Sequence, residues 1–202
     1  LLSLIKKYHY IMELIRKNNL VEFKKLLKTD NYSRVLVVSG KHSYNKSGAK
    51  EIIKEILSKK KIYFFFKKKK LPKIEELTSL IKFIKIKKPN LIISIGGGAV
   101  MDLTKIANVF CETKSLKNKI INQKYTIKKI FCDLIAIPTT AGSGAEVTPN
   151  AVMYINKIKY TVDKKIIRPD KFYLIPKLTF SASKKIKASS GFDAIAQSIE
   201  SL

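Results

Sequence analysis

The chain has 202 residues, with 41 Lys plus Arg against 15 Asp plus Glu, a formal net charge of +26 and 46% hydrophobic residues. That apolar fraction supplies one substantial core and excludes wholesale disorder, while no stretch approaches 18 consecutive apolar residues, so no membrane partner is expected. Only Arg16, Arg34 and Arg168 are arginines and the lysines run from Lys6 to Lys187, so the charge reads as solvated lysine under a composition bias, not as a nucleic-acid surface, which favours bidentate guanidinium.

The N-terminal LLSLIKKYHYIMELI is broken by Lys6 and Lys7 and shows no signal-peptide cleavage site; a first residue other than Met suggests a fragment. Residues 34–38 (RVLVV) are a β-branched run closed by Ser39-Gly40, the pattern of a buried strand. Residues 48–57 place Ala49, Ile52, Ile53, Ile56 and Leu57 at the spacing of an amphipathic helix. Residues 62–66 are a second strand, and the lysine tract 67–70 a loop behind it. A helix over 74–86 carries Ile74, Leu77, Ile81 and Ile84 on one stripe, Pro89 stops it, and the third strand, 91–95 (LIISI), runs into three glycines. A helix over 102–110, a polar stretch to Lys129 without assignment, and a fourth strand over 133–137 closed by Pro138 follow. Residues 155–167 read as a hairpin and 188–202 as a helix. Strands alternating with helices mean βαβ units. The fold class is therefore α/β, with strands 34–38, 91–95 and 133–137 parallel and a ligand crevice at their carboxyl ends. Cys111 and Cys132 are too few for a disulfide scaffold and read as thiols of a cytoplasmic protein. His9 and His42 are expected at the surface.

Three stretches carry chemistry. In Gly96-Gly97-Gly98-Ala99-Val100-Met101-Asp102, glycines between a strand and a helix let the backbone approach a diphosphate, and the helix N-terminus favours the anion. The structural alternative is a tight turn needing positive φ, with Asp102 opposing the helix dipole from the first turn. In Pro138-Thr139-Thr140-Ala141-Gly142-Ser143-Gly144, hydroxyls and small residues at a strand end suit a flat polar ligand, or form only a capped loop. In the third stretch Asp193 and Gln197, four apart, share a helix face where they can meet a ligand or metal, or simply face water.

Together GGGAVMD, AIPTTAGSGAEVT and SSGFDAIAQSIES, about 40 and 50 residues apart, resemble the iron-containing (group III) alcohol dehydrogenases, over most of the chain from Val35. The resemblance implies an open Rossmann-like, mostly parallel sheet of the dehydroquinate synthase-like superfamily. Residues 1–187 would form the dinucleotide-binding domain and 188–202 the first helix of an all-α metal-binding domain. It implies hydride transfer between NAD(P)H and a small aldehyde or alcohol, with a divalent metal, Fe or Zn. Carried over by motif position, Gly96, Gly97, Gly98 and Ala99 take the diphosphate, Asp102, Thr139 and Thr140 line the cleft, Lys159 approaches the ribose, and Asp193 is the first metal ligand. Gln197 stands where the family's next ligand is His, a variant resembling phosphonoacetaldehyde reductases. An Asp usual before Pro176 is absent, and Ser183 replaces a later Pro. No catalytic side chain is assigned, and homo-oligomerisation is left open. The cofactor is expected to be NADP, with NAD as the other choice, because Gly40 occupies the strand end where NAD-preferring relatives carry Asp. Lys41 follows to meet a 2′-phosphate, with Ser39 or Ser43 as donor. Alternatives are a glycerol-1-phosphate dehydrogenase or dehydroquinate synthase relative, and a non-catalytic nucleotide-binding fragment.

Overall fold

The computed structural model describes residues 19–58, 60–110, 115–127 and 130–200, so His9, Cys111 and the N-terminal stretch lie outside the described residues. Helix α1 (Asn19–Thr29) precedes β1 (Arg34–Gly40), α2 (Lys41–Lys46), α3 (Ala49–Ile56), β2 (Lys61–Lys67), α4 (Ile74–Lys87), β3 (Leu91–Gly96) and α5 (Gly98–Ala107). Then come α6 (Leu116–Ile121), β4 (Asp133–Pro138), the strands β5 (Asn150–Ile155) and β6 (Ile158–Asp163), the short β7 (Lys171–Phe172) and α7 (Lys184–Glu200).

Five strands form a sheet in the order β2-β1-β3-β4-β7, and every pair in it is parallel. The β-branched runs are buried on both faces, as a parallel sheet requires. Leu36, Val38, Ile92 and Leu134 point to one core, shared with Leu77, Leu80, Ile81 and Ile84 of α4 and with Leu103 and Ile106 of α5. Val35, Val37, Ile93, Ile135 and Ile137 point to the other, against Phe23 and Leu27 of α1 and Ile53 of α3. The chain leaves β1 for β2 on one side and returns to β3 on the other. This reversal opens a crevice at the carboxyl ends of β1 and β3. The open, parallel α/β class read from the sequence is the one observed.

Several boundaries move. Helix α5 starts at Gly98, four residues before the expected 102, because the glycines themselves make its cap and first turn. The hairpin is β5–β6, shifted back from 155–167, and Ala151, Met153 and Val162 pack it onto the α4–α5 core. Helix α7 begins at Lys184 instead of 188, with the Ser183 hydroxyl accepting from the Ile186 N–H at 3.3 Å as an N-cap. Helices α1, α2 and α6 and strand β7 add to the expected elements, while α4 runs one residue past the expected 86, to Lys87, and is capped by Lys88 (φ 45°) before Pro89.

The β5–β6 turn places Asn156 and Lys157 at φ 49° and 68°, the signs of a type I′ turn, in which Lys at the second position is strained where Gly would not be. Lys157→Gly should stabilise the chain by about 1 kcal/mol in urea unfolding; a loss of stability would mean that the turn has another form.

Candidate functional site

Strands β3 and β4 end side by side, Gly96 opposite Pro138, and the Thr139 N–H donates to the Gly96 carbonyl at 2.9 Å. The two strand-end loops thereby meet. A Cβ on Gly97 would lie 3.2 Å from Thr140 Oγ1, and one on Gly98 would lie 2.8 Å from Ser143 Oγ. A Cβ on Gly96 would strike Val100 Cγ2 at 2.7 Å. None of these three glycines has positive φ; Gly97, the cap of α5, sits at φ −82° and ψ 179°. The tight-turn alternative is thus overturned: the glycines are set by closeness, not by backbone handedness.

Helix α5 carries no acidic residue in its first turn. Its leading N–H groups, at Gly98 and Ala99, have no carbonyl one turn back within the helix. Asp102 lies beyond the first turn and does not oppose the dipole. Its carboxylate accepts the Val152 N–H of β5, and burial pushes it up to about 6, against the opposing pull of Lys105 and Lys159. Lys159 itself is exposed on β6 and lends its charge to Asp102. Thr139 is buried and Thr140 half-buried.

At the end of β1, Gly40 is extended (φ −82°, ψ 129°) and Lys41 is exposed at the start of α2, as is His42. Ser39 is fully buried and donates to the Ile95 carbonyl at 2.6 Å, tying β1 to β3. Ser39 is therefore spent, and of the two expected donors only Ser43 borders the surface; its hydroxyl donates to the Gly40 carbonyl at 3.0 Å.

The third motif approaches through Gly142. A Cβ there would fall 2.2 Å from the Ser190 carbonyl, so the loop after β4 is seated against the backbone of α7. Asp193 and Gln197 lie further along α7, both exposed. Among the described residues no group of three His, Cys, Asp or Glu could hold a metal. One carboxylate and one amide are not a complete coordination set. Sequence reasoning missed Lys105, which is 1% exposed and donates to the Ala145 carbonyl at 2.8 Å and Thr148 Oγ1 at 3.2 Å. Its signal was a charged pair, Asp102 and Lys105, three apart in a helix otherwise rich in apolar residues, Val100 to Ala107.

The family model for iron-containing alcohol dehydrogenases matches residues 13–176 of this chain. The chain belongs to that family. An alcohol dehydrogenase of Thermococcus barophilus is 32% identical over 135 residues, covering 64% of this chain and 36% of that protein. A mitochondrial hydroxyacid-oxoacid transhydrogenase of Caenorhabditis elegans is 29% identical over 137 residues, 64% of this chain and 30% of its own. Among solved structures, the sulfoacetaldehyde reductase of Bifidobacterium kashiwanohense in complex with NAD+ superposes with a TM-score of 0.80 at 26% identity, over 91% of this chain and 49% of that one. The NADH-dependent butanol dehydrogenase A of Thermotoga maritima shares the fold, with a TM-score of 0.80 at 22% identity, 91% of this chain and 47% of that one. The chain thus spans about a third of the length of the first two relatives and about half of the two solved structures.

Gly142→Ala should cost about 1–3 kcal/mol in urea unfolding and speed amide exchange along α7, because backbone must shift. Gly144→Ala, at φ 58° in open space, should cost about 1–2 kcal/mol and leave α7 exchange unchanged. Equal α7 exchange in the two variants would deny the Gly142 seat. The folded state raises the Asp102 carboxyl above its ordinary value, so its contribution favours the fold in acid and is lost as pH rises through about 6. Asp102→Asn should therefore be more stable than the parent at pH 7.5, with the gain gone at pH 3.5; a variant less stable at pH 7.5 would reverse the sign.

Proposed function

We propose that this chain is the dinucleotide-binding part of a metal-dependent alcohol dehydrogenase or aldehyde reductase, and that the crevice between the ends of β1, β3 and β4 takes NADP(H). The observation that carries the reading is the cradle itself: an added carbon would fall 2.8 Å from Ser143 Oγ at Gly98 and 3.2 Å from Thr140 Oγ1 at Gly97, against the hydroxyl-bearing loop after β4. A diphosphate needs that bare backbone and the uncompensated helix start behind it. The nicotinamide supplies the hydride chemistry. In this reading Gly96, Gly97, Gly98 and Ala99 hold the diphosphate through N–H groups, Thr139 and Thr140 flank the cofactor, and Asp102 with Lys159 borders its ribose side.

NADP over NAD is supported by the β1 end. Gly40 offers no carboxylate to a ribose 2′-hydroxyl and none to repel a 2′-phosphate, while Lys41 is exposed beside it. Helix α7 would open a helical domain, with Asp193 and Gln197 its first contributions to an iron or zinc site. The described residues do not complete such a site. Gln197 in the place of His favours an aldehyde with an anionic tail as substrate, as in the phosphonoacetaldehyde reductases that the variant resembles.

The purified 202-residue chain should bind NADPH more tightly than NADH by fluorescence titration at moderate salt, and Gly40→Asp should move the preference toward NADH. Equal or tighter NADH binding by the parent would refute the NADP reading. Binding of neither would refute the dinucleotide site. The same chain should turn over no aldehyde above a denatured control, because Asp193 and Gln197 alone among the described residues stand at metal-donor positions; turnover would show that a complete centre is built from it.

A further inference from the structure

Behind the crevice, on the helix that begins at the glycines, Lys105 is buried to 1% exposure among apolar neighbours. Its Nζ is aimed into the loop that carries the Thr motif, donating to the Ala145 carbonyl at 2.8 Å and to Thr148 Oγ1 at 3.2 Å. The charged groups that face it are Asp102, three residues back on α5, and Glu146, on the loop itself. Lys159 reaches Asp102 from β6. A residue that only filled space would be Met or Leu, and would leave a buried carbonyl without this donor and two carboxyls without this cation.

We propose that Lys105 is a positioning residue for the dinucleotide site: its buried ammonium clamps the loop after β4 against α5 and balances Asp102 and Glu146, so that the crevice meets a diphosphate with N–H groups and not with net negative charge. The proposal rests on the cofactor reading above. The clamp acts where it matters, because the same loop places Thr140 against Gly97, Ser143 against Gly98 and Gly142 against Ser190. Loosening it would widen the cradle and uncover like charge behind a bound anion. Burial pulls the Lys105 ammonium down to about 8, with Asp102 and Glu146 holding it up, so its charge is lost in mildly alkaline solution.

The test uses the full chain, with NADPH and NADH as probes followed by fluorescence, and backbone amide exchange as a readout independent of cofactor. Lys105→Met should bind NADPH about tenfold more weakly at pH 7, the loss of one charge-assisted hydrogen bond. Amides of residues 141–148 should exchange faster while the remaining sheet keeps its protection. Parent affinity should fall between pH 7 and pH 9.5, and the variant should be flat over that window. Thr148→Val, which removes one acceptor from a half-buried loop position, should give a smaller change in the same direction and keeps the test open if Lys105→Met does not fold. Parent-like affinity, pH profile and loop exchange in Lys105→Met, or an unchanged Thr148→Val with a pH-independent parent, would make Lys105 a space-filling residue and overturn the proposal. If the parent binds neither nucleotide although the loop of Lys105→Met loosens, the cofactor reading has failed and the clamp alone survives.

Discussion

The two strand-end loops pack closely at the carboxyl edge of the sheet, where Gly97 and Gly98 present no side chain to Thr140 and Ser143. That steric constraint organises the edge. The loop after β4 lies along the start of α5, its own Gly142 then meets the backbone of α7 at Ser190, and the helix bearing Asp193 and Gln197 is placed by a contact that begins at the glycines. The Thr139 N–H and Ser39 hydroxyl, donating to the Gly96 and Ile95 carbonyls, pin the three strand ends to one another so that the crevice has fixed walls. Backbone closeness is what a diphosphate requires, and no side chain substitutes for it.

The second organising element is a small group of buried charges. Burial raises Asp102 and Glu146 and lowers Lys105, so each opposes folding at neutral pH to some degree. Hydrophobic residues of similar volume would make a more stable wall. Two of these charges sit on the helix that begins at the glycines and the third on the loop after β4, the pattern of a site in which stability has been given up for field and position.

The sheet was legible because runs such as RVLVV, LIISI and DLIAI are apolar without alternation, the mark of strands covered on both faces. The crevice was legible because its motifs follow those strands directly. The start of α5 was hidden because Gly97 and Gly98 are poor helix formers, and their role depends on residues some 40 positions away. The hairpin was misplaced because its turn is Asn156-Lys157 with positive φ, a conformation Lys does not advertise. Ser183 gave a capping signal that was read only as a departure from the family's Pro. Lys105 shows what local reading cannot supply. A lysine among many is unremarked until the fold shows it buried against Ala145 and Thr148.

The central claim is that the meeting of the β3 and β4 loops is a dinucleotide site. An NMR titration of the isotopically labelled chain with NADPH addresses it residue by residue. The amide resonances of Gly96, Gly97, Gly98, Ala99 and Thr140 should move first and saturate together, with Lys41 following the 2′-phosphate. Shifts confined to the lysine tract 67–70, with the glycine amides unmoved, would contradict it and return the chain to a basic surface that holds phosphates without a built site.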